Sequence, residues 1–267
     1  MEIIITDSPQ LVAERSANLI QNLIDKNPHA VLGLATGSTP VALYEKLIEL
    51  YKNKGLSFKD VTTFNLDEYV GLDPEHRQSY RYFMNDLLFS HLDINIENTH
   101  LPDGMKENPM ESGPEYEGKI KKAGGIDFQV LGIGANSHIG FNEPTSSLGS
   151  RTRIKTLTQK TMKDNSRFFK KDEFQPYLAV TMGISTIMES RKIILLATGR
   201  NKADAVKNTV EGPVTSVCPA SALQWHPNTT VIVDLEAAEK LEYKDYYKFV
   251  LREQDKLVQR FGNPKIP

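Results

Sequence analysis

Short apolar runs alternate along this chain with segments in which apolar residues recur at helical spacing. Residues 3–5 are an apolar run that predicts a first strand. Ser8 followed by Pro9 is typical of a helix start, and apolar residues recur every three or four positions after it. Residues 30–35 predict a second, buried strand, and the sequence Thr39-Pro40 then predicts the start of the next helix.

This alternation continues over most of the chain. Because the strands are continuously apolar and helices separate them, we expect an α/β fold, with a mainly parallel sheet and helices on both faces. No Gly-, Pro- or Ser-rich linker divides the sequence, which predicts a single α/β domain over residues 1–267. Further strands are expected at 61–65, 128–133, 178–182, 192–197 and 230–234, helices after Ser79 and near 243–261, and a surface loop at 102–115.

Composition excludes several classes of protein. The net charge of -2 offers no basic field for a polyanion, so nucleic acid is not expected as a partner. No stretch approaches the ~20 apolar residues that cross a bilayer, and residues 1–6 do not resemble a signal peptide. The single cysteine, Cys218, fits a structural role in a reducing compartment. We therefore expect a cytoplasmic protein without a membrane partner.

Ligands of parallel sheets bind beyond the carboxyl ends of the strands, which directs attention to the loops that follow them. The loop at 35–40 combines a glycine, Gly37, with the hydroxyls of Thr36, Ser38 and Thr39 at a predicted helix start. Free amides at a helix start favour an anion such as a phosphate monoester. An ordinary helix cap is the alternative interpretation.

Charged residues near other strand ends could complete such a site. Lys202 and Arg167 are candidate phosphate-binding cations, although each taken alone is more typical of a surface charge than of a ligand. Asp67 and Glu68 place two carboxylates after a strand, where one could abstract a proton from a carbon atom next to a carbonyl. For an isolated pair, a helix cap and a solvated acid would be the simpler interpretation.

The segment 132–144 (GIGANSHIGFNEP) is the most informative part of the sequence. It places glycines, His138, Glu143 and the amide of Asn136 in one short loop after an apolar strand. Histidine exchanges protons near neutral pH, and a nearby carboxylate can orient its ring. A histidine that only satisfies backbone groups is the alternative, but this concentration of polar groups favours function. The other histidines lack the spacing of a zinc site, so no metal is expected.

Three segments together resemble the glucosamine-6-phosphate deaminase (isomerase) family. They are FNLDEYVGL (64–72), LGIGANSHIGFNEP (131–144) and SRTRIKTLT (150–158), and LATGSTP, NSRFF and the Lys202 loop match in the same order. The resemblance implies a Rossmann-like fold. It also implies isomerisation and deamination of glucosamine 6-phosphate to fructose 6-phosphate and ammonia, in amino-sugar catabolism. The expected partner is a small sugar phosphate, and no organic cofactor is expected.

The resemblance also implies roles for individual residues. His138 would move the proton that opens the sugar ring, with Glu143 as its acidic partner. Asp67 would take the proton from carbon 2 of the sugar and return one to carbon 1. Asn136 stands where some members carry aspartate, and it could hold the imidazole by a hydrogen bond. The expected substrate-binding residues are Thr36, Gly37, Ser38, Thr39, Glu68, Arg167 and Lys202.

Some points stay open at this level. The family includes hexamers activated by N-acetylglucosamine 6-phosphate, so a homo-oligomer is compatible with the sequence. Two alternatives are a 6-phosphogluconolactonase-like hydrolase and a sugar-phosphate sensor, but a sensor has little reason to keep Asp67, His138 and Glu143 together. The residues that match the effector site are Ser146, Ser147, Arg153, Lys155 and Thr156.

Overall fold

The computed structural model describes residues 1–158, 162 and 174–262. Its centre is a seven-stranded sheet in which every neighbouring pair of strands is parallel. The Rossmann-like, mainly parallel α/β fold is therefore confirmed. The strands are β1 (Glu2–Thr6), β2 (Val31–Leu34), β3 (Thr62–Asn65), β5 (Thr99–His100), β6 (Phe128–Gly132), β9 (Lys192–Ala197) and β10 (Thr229–Asp234). Their order across the sheet is β1-β10-β9-β6-β2-β3-β5.

Helices connect these strands. Ser8 caps the first helix by accepting the N–H of Leu11, and Ser79 caps the third by accepting the N–H of Tyr82, which confirms both predicted starts. No helix in the described part of the chain has the length and apolar composition to cross a membrane. The helices are α1 (Pro9–Lys26), α2 (Ser38–Lys54), α3 (Tyr80–Leu87), α4 (Ser112–Lys122), α5 (Ile184–Met188), α6 (Ala203–Val210) and α7 (Lys244–Phe261).

Side chains alternate between the two faces of the sheet, so each face has its own core. In β6, Val130 belongs to the core under α1 and α2, whereas Leu131 belongs to the core under α4 and α6. Ile194 and Leu195 in β9 alternate in the same way, and all four side chains are fully buried. Continuously apolar strands therefore reflect helix cover on both faces.

A second, three-stranded sheet lies beside the carboxyl end of β3. It consists of β4 (Asp67–Tyr69), β8 (Leu178–Thr181) and β7 (Arg153–Thr156), and both pairings are antiparallel. The predicted strand at 178–182 is confirmed, but it lies in this sheet and not in the parallel one. In the β4–β8 register Asp67 stands opposite Thr181.

Part of the predicted surface loop at 102–115 is helical. A 3₁₀ turn at Pro109–Glu111 leads directly into α4, which begins at Ser112. The glycine and the proline within the first turn of α4 obscured this start, although proline is well tolerated there. The prediction of an uninterrupted loop was wrong from residue 109 onward.

Two glycines of α4 make a matched test of the packing. A Cβ on Gly113 would lie 2.4 Å from the carbonyl oxygen of Thr152, whereas a Cβ on Gly118 would meet no described atom within 4 Å. We expect Gly113→Ala to lower the free energy of unfolding by about 1–3 kcal/mol through overpacking. Gly118→Ala should raise it by about 0.5–1 kcal/mol, because alanine restricts the unfolded chain. Denaturant titration measures both, and shifts of the same sign would contradict the packing described here.

Candidate active site

A cavity of about 950 Å³ opens at the carboxyl ends of β2, β3, β6 and β9. From β2 the chain leads through α2 to β3 on one side of the sheet, while β6 lies between β2 and β9 on the other. Loops after β2 and β6 therefore diverge, and this divergence leaves a crevice where α/β proteins bind ligands. The loops after these strands contribute most of its lining, including Thr36–Thr39, Asp67, Gly134–Asn136, His138 and Lys202.

The loop after β2 presents a helix N-terminus to the cavity. Helix α2 begins at Ser38 with Gly37 as its N-cap, two residues earlier than a cap at Thr39 followed by Pro40 predicts. Gly37 has φ 106°, and no described side chain accepts a hydrogen bond at this cap. The ordinary-cap interpretation is therefore wrong for Thr39. The first-turn amides and the hydroxyls beside them suit an anion.

Of the two predicted phosphate-binding cations, Lys202 lies at the cavity and Arg167 lies outside the described residues. The Nζ atom of Lys202 donates to the carbonyl oxygen of Ile133 at 2.7 Å, and Lys202 lines the cavity. The lysine thus connects the loop after β9 to the end of β6, with its charge on the cavity wall. Arg167 lies outside the described residues, and its predicted contact with phosphate stays a prediction.

Asp67 is a buried carboxyl in the wall of the cavity. Asp67 as a whole is 5 % exposed to solvent. Burial, which disfavours the charged form, raises its pKa to about 8, and the charge of Glu68 adds to the shift. Such a group holds a proton at neutral pH and becomes a comparatively strong base once it loses that proton.

Glu68 faces away from the cavity and caps a helix. Its carboxylate accepts the backbone N–H groups of Tyr69, Tyr80 and Arg81 at 2.8, 3.0 and 2.9 Å. Two of these groups belong to the first turn of α3, where a negative charge also complements the helix dipole. Glu68 is absent from the cavity lining. The structure therefore does not group Glu68 with the other predicted substrate-binding residues and gives it a structural role.

His138 stands at the cavity surface in a tight loop after β6. The N–H of Gly134 donates to the carbonyl oxygen of His138 at 2.9 Å, and Ser137 has φ 67°. A Cβ on Gly134 would come within 2.3–2.6 Å of three atoms of the imidazole ring. Only glycine leaves room for the ring at this place.

Glu143 lies behind the histidine. Its Oε2 atom is 3.5 Å from Nδ1 of His138, and its side chain is 6 % exposed against 27 % for the histidine. The pair makes a close ionic contact when the imidazole is protonated. Glu143 acts on the cavity through His138, since its own side chain is not part of the lining.

Asn136 holds the carboxylate and not the ring. Its Nδ2 atom donates to Oε2 of Glu143 at 2.6 Å, and its Oδ1 atom accepts the backbone N–H of His138 at 3.4 Å. The expected hydrogen bond from the amide to the imidazole is absent from the contacts that the structure describes. Asn136 therefore orients Glu143 and the loop, and leaves the charge at this site to Glu143.

Several cavity residues were not predicted. Arg77, Gln78 and Tyr80 line it from the start of α3, and Asn201 lines it beside Lys202. The hydroxyl of Tyr80 lies 3.3 Å from that of Tyr69, and burial raises the pKa of Tyr80 well above its usual value. None of the three residues near α3 follows a strand of the parallel sheet, so reading strand ends could not find them.

Other parts of the molecule offer less chemistry. A second cavity of about 590 Å³ lies beside α4, and its main charged groups, Glu117, Arg151 and Glu189, pair with one another. The described residues contain no group of three or more His, Cys, Asp or Glu that could hold a metal ion. The polar cavity at the strand ends is therefore the candidate active site.

Comparison with known proteins assigns the family. The family model described as glucosamine-6-phosphate isomerases/6-phosphogluconolactonase matches residues 6–232. The chain belongs to this family. The match includes the loops after β2, β6 and β9 and the strand that carries Asp67.

Relatives within the glucosamine-6-phosphate isomerase/6-phosphogluconolactonase family agree. A glucosamine-6-phosphate deaminase of Shewanella woodyi is 56% identical over 262 residues, which cover 98% of this chain and 99% of the relative. A solved structure of a monomeric glucosamine-6-phosphate deaminase is 41% identical with a TM-score of 0.87, over 90% of this chain and 99% of that one. A 6-phosphogluconolactonase from Trypanosoma cruzi, 22% identical with a TM-score of 0.73 over 90% and 97% of the two chains, shares the fold.

In this member of the glucosamine-6-phosphate isomerase/6-phosphogluconolactonase family, the buried Asp67 should make stability depend on pH. The pKa of its carboxyl is about 8 in the folded state against 3.8 for the ordinary group. Below about pH 4 both states hold the proton, and above it only the unfolded state ionises freely. The contribution of Asp67 to wild-type stability therefore falls as pH rises from about 4 to about 8.

We expect Asp67→Asn to gain stability relative to wild type over that window, by a few kcal/mol at pH 8 and little at pH 4, because the amide has no proton to lose. Denaturant unfolding at both values measures the difference. Asp86→Asn, in an exposed position on α3, is the control. A stability difference between Asp67→Asn and wild type that is the same at both pH values would show that the carboxyl is not shifted.

Proposed function

We propose that the protein is a glucosamine-6-phosphate deaminase, which converts glucosamine 6-phosphate to fructose 6-phosphate and ammonia. The observation that carries this proposal is the position of the buried Asp67 carboxyl in the same cavity as His138 and an uncapped helix N-terminus. The carboxyl of Asp67 suits proton transfer at carbon, and the imidazole of His138 suits proton transfer at oxygen. The N-terminus of α2 suits a phosphate. Relatives that match nearly the whole chain bear the same name.

Phosphate binding would come first. The amides at Gly37 and Ser38, the hydroxyls around them and the ammonium of Lys202 would hold the phosphate at one end of the cavity, and we assign Arg167 to the same group. Since the phosphate takes no part in the reaction, its binding serves to orient carbons 1 and 2 of the sugar. Those carbons then lie between Asp67 and His138.

Ring opening would follow at His138. A pyranose has no acidic proton next to a carbonyl, so the hydroxyl on carbon 1 must lose its proton and the ring oxygen must gain one. The imidazole carries that proton, and Glu143, 3.5 Å away, stabilises the charged ring while it does so. The product is the open-chain aldehyde with its amine on carbon 2.

Asp67 would then act as the carbon base. The ionised carboxylate takes the proton from carbon 2 and delivers one to carbon 1, while the oxygen on carbon 1 gains a proton and the substrate ammonium loses one. The result is a hydroxyl on carbon 1 and an iminium ion at carbon 2. Water adds to that carbon and ammonia leaves. An ammonium on the bound substrate favours the ionised form of Asp67, which offsets the burial that raises its pKa.

We also propose that the chain forms one catalytic domain. Strands β1 and β10, from near its two ends, are neighbours in the same sheet. The loops that form the cavity all follow strands of that sheet or of the small sheet beside it. A division of the chain would separate these loops.

A coupled assay for ammonia and fructose 6-phosphate tests the function. We expect wild type to form both products from glucosamine 6-phosphate, and Asp67→Asn to lose about 10²–10⁴-fold in kcat, because the amide cannot accept the carbon proton. Asp86→Asn, an exposed change outside the cavity, should keep wild-type activity. If wild type forms neither product, the proposed function is wrong; if Asp67→Asn keeps full activity, only the assigned base is wrong.

A second variant tests the pairing of Glu143 with His138. Glu143→Gln keeps the size of the side chain but removes the charge beside the imidazole, so ring opening should slow and kcat should fall by about 10–100-fold. Glu189→Gln removes a carboxylate that is 63% exposed and pairs with Arg151, and serves as the control. Deamination rates measured at saturating substrate decide the matter, and a rate near wild type for Glu143→Gln would refute the assignment.

A further inference from the structure

One buried hydroxyl lies where the two halves of the candidate active site meet. Thr181 is the last residue of β8, opposite Asp67 in the antiparallel pairing, and its side chain is fully buried. Its Oγ1 atom accepts the backbone N–H of Phe141 at 3.0 Å. Phe141 belongs to the loop that carries His138 and Glu143. The hydroxyl thus joins the strand beside Asp67 to the loop assigned to ring opening.

The contact is close on both sides. Gly140, the residue before Phe141, has φ 55°, and a Cβ there would lie 2.9 Å from Oγ1 of Thr181 and 3.3 Å from Oδ2 of Asp67. A side chain at this position would therefore collide with the hydroxyl and crowd the carboxyl, so the loop can lie here only with glycine at 140. A small displacement of the loop changes the separation of Asp67 from His138.

We propose that Thr181 is a positioning residue for the reaction, which fixes the His138–Glu143 loop against Asp67 through the N–H of Phe141. This proposal rests on the proposed function. Ring opening and carbon-proton transfer act on adjacent atoms of one bound sugar, so the two sets of groups must be held at a fixed separation. Asn142 supports the same register, since its Nδ2 atom donates to the carbonyl oxygen of Met182 at 2.8 Å.

Thr181→Val tests the proposal, because valine has nearly the same shape but cannot accept the N–H of Phe141. We expect kcat with glucosamine 6-phosphate to fall by about 10–100-fold while KM stays within about threefold, since the phosphate-binding loop is untouched. Thr181→Ser restores the hydroxyl and should recover kcat to within about threefold of wild type. The inhibition constant for inorganic phosphate should be the same in all variants.

Thr209→Val is the matched control, since Thr209 is equally buried, lies in α6 and contacts Cys218. Its kcat should equal that of wild type. If Thr181→Val does not fold, Thr181→Ala removes the same hydroxyl without added bulk and is compared with Thr181→Ser. A hydroxyl-free variant with wild-type kcat, or a serine variant as slow as valine, would overturn the proposal. An inactive wild type in the same assay would instead refute the proposed function.

Discussion

The antiparallel pairing of β4 with β8 is the interaction on which the catalytic end of the molecule depends. A parallel sheet alone would end its strands in independent loops, each free to move relative to the next. Here the chain leaves β3 and at once pairs with a strand that is more than a hundred residues away in sequence. This pairing fixes Asp67 and, through Thr181, the loop that follows β6. Asp67 and the loop that carries His138 and Glu143 are thereby both held by the same strand, β8.

Two adjacent carboxylates show how environment assigns function. Asp67 and Glu68 are equally buried, but Glu68 accepts three backbone N–H groups whereas burial dominates at Asp67. The pKa of both is raised by burial, and hydrogen bonds oppose the shift at Glu68. A carboxylate that is fully hydrogen-bonded stabilises a helix start, while one without such bonds is available for proton transfer. The cavity thus gains a base without losing the cap of α3.

Most of the parallel sheet was predictable from sequence because strands such as β6 and β9 are long enough to show continuous apolar runs, whereas β5, with two residues, was not predicted. The small sheet was largely not predictable. β4 has three residues, β7 has the charged sequence RIKT, and neither carries a hydrophobic period. Their pairing is decided by contacts between distant segments, which local patterns do not record.

The residues of the candidate site also divide into those that the sequence predicts and those that depend on contacts between distant segments. Asp67, His138, Glu143 and the loop at 36–39 follow strands, so the topology of an α/β sheet brings them together, and the family resemblance gave them roles. The partner of Asn136 and the outward direction of Glu68 depend on side-chain orientation, which no spacing rule specifies. Tyr80 and Arg77 reach the cavity from a helix start whose placement depends on the hydrogen bonds of Glu68.

The alternation of side chains along β4 has a consequence for how this chemistry can vary. Asp67 and Glu68 are neighbours on a strand and point to opposite sides, one to the cavity and one to α3. A shift of the strand by one residue would put Glu68 in the place of Asp67 and Tyr69 at the helix, or Leu66 in the cavity wall and Asp67 at the helix. An insertion or deletion that shifts the register of β4 would therefore remove a carboxyl from the cavity wall or from the start of α3. The site therefore depends on the register of β4 against β8 as well as on the identity of its two acids.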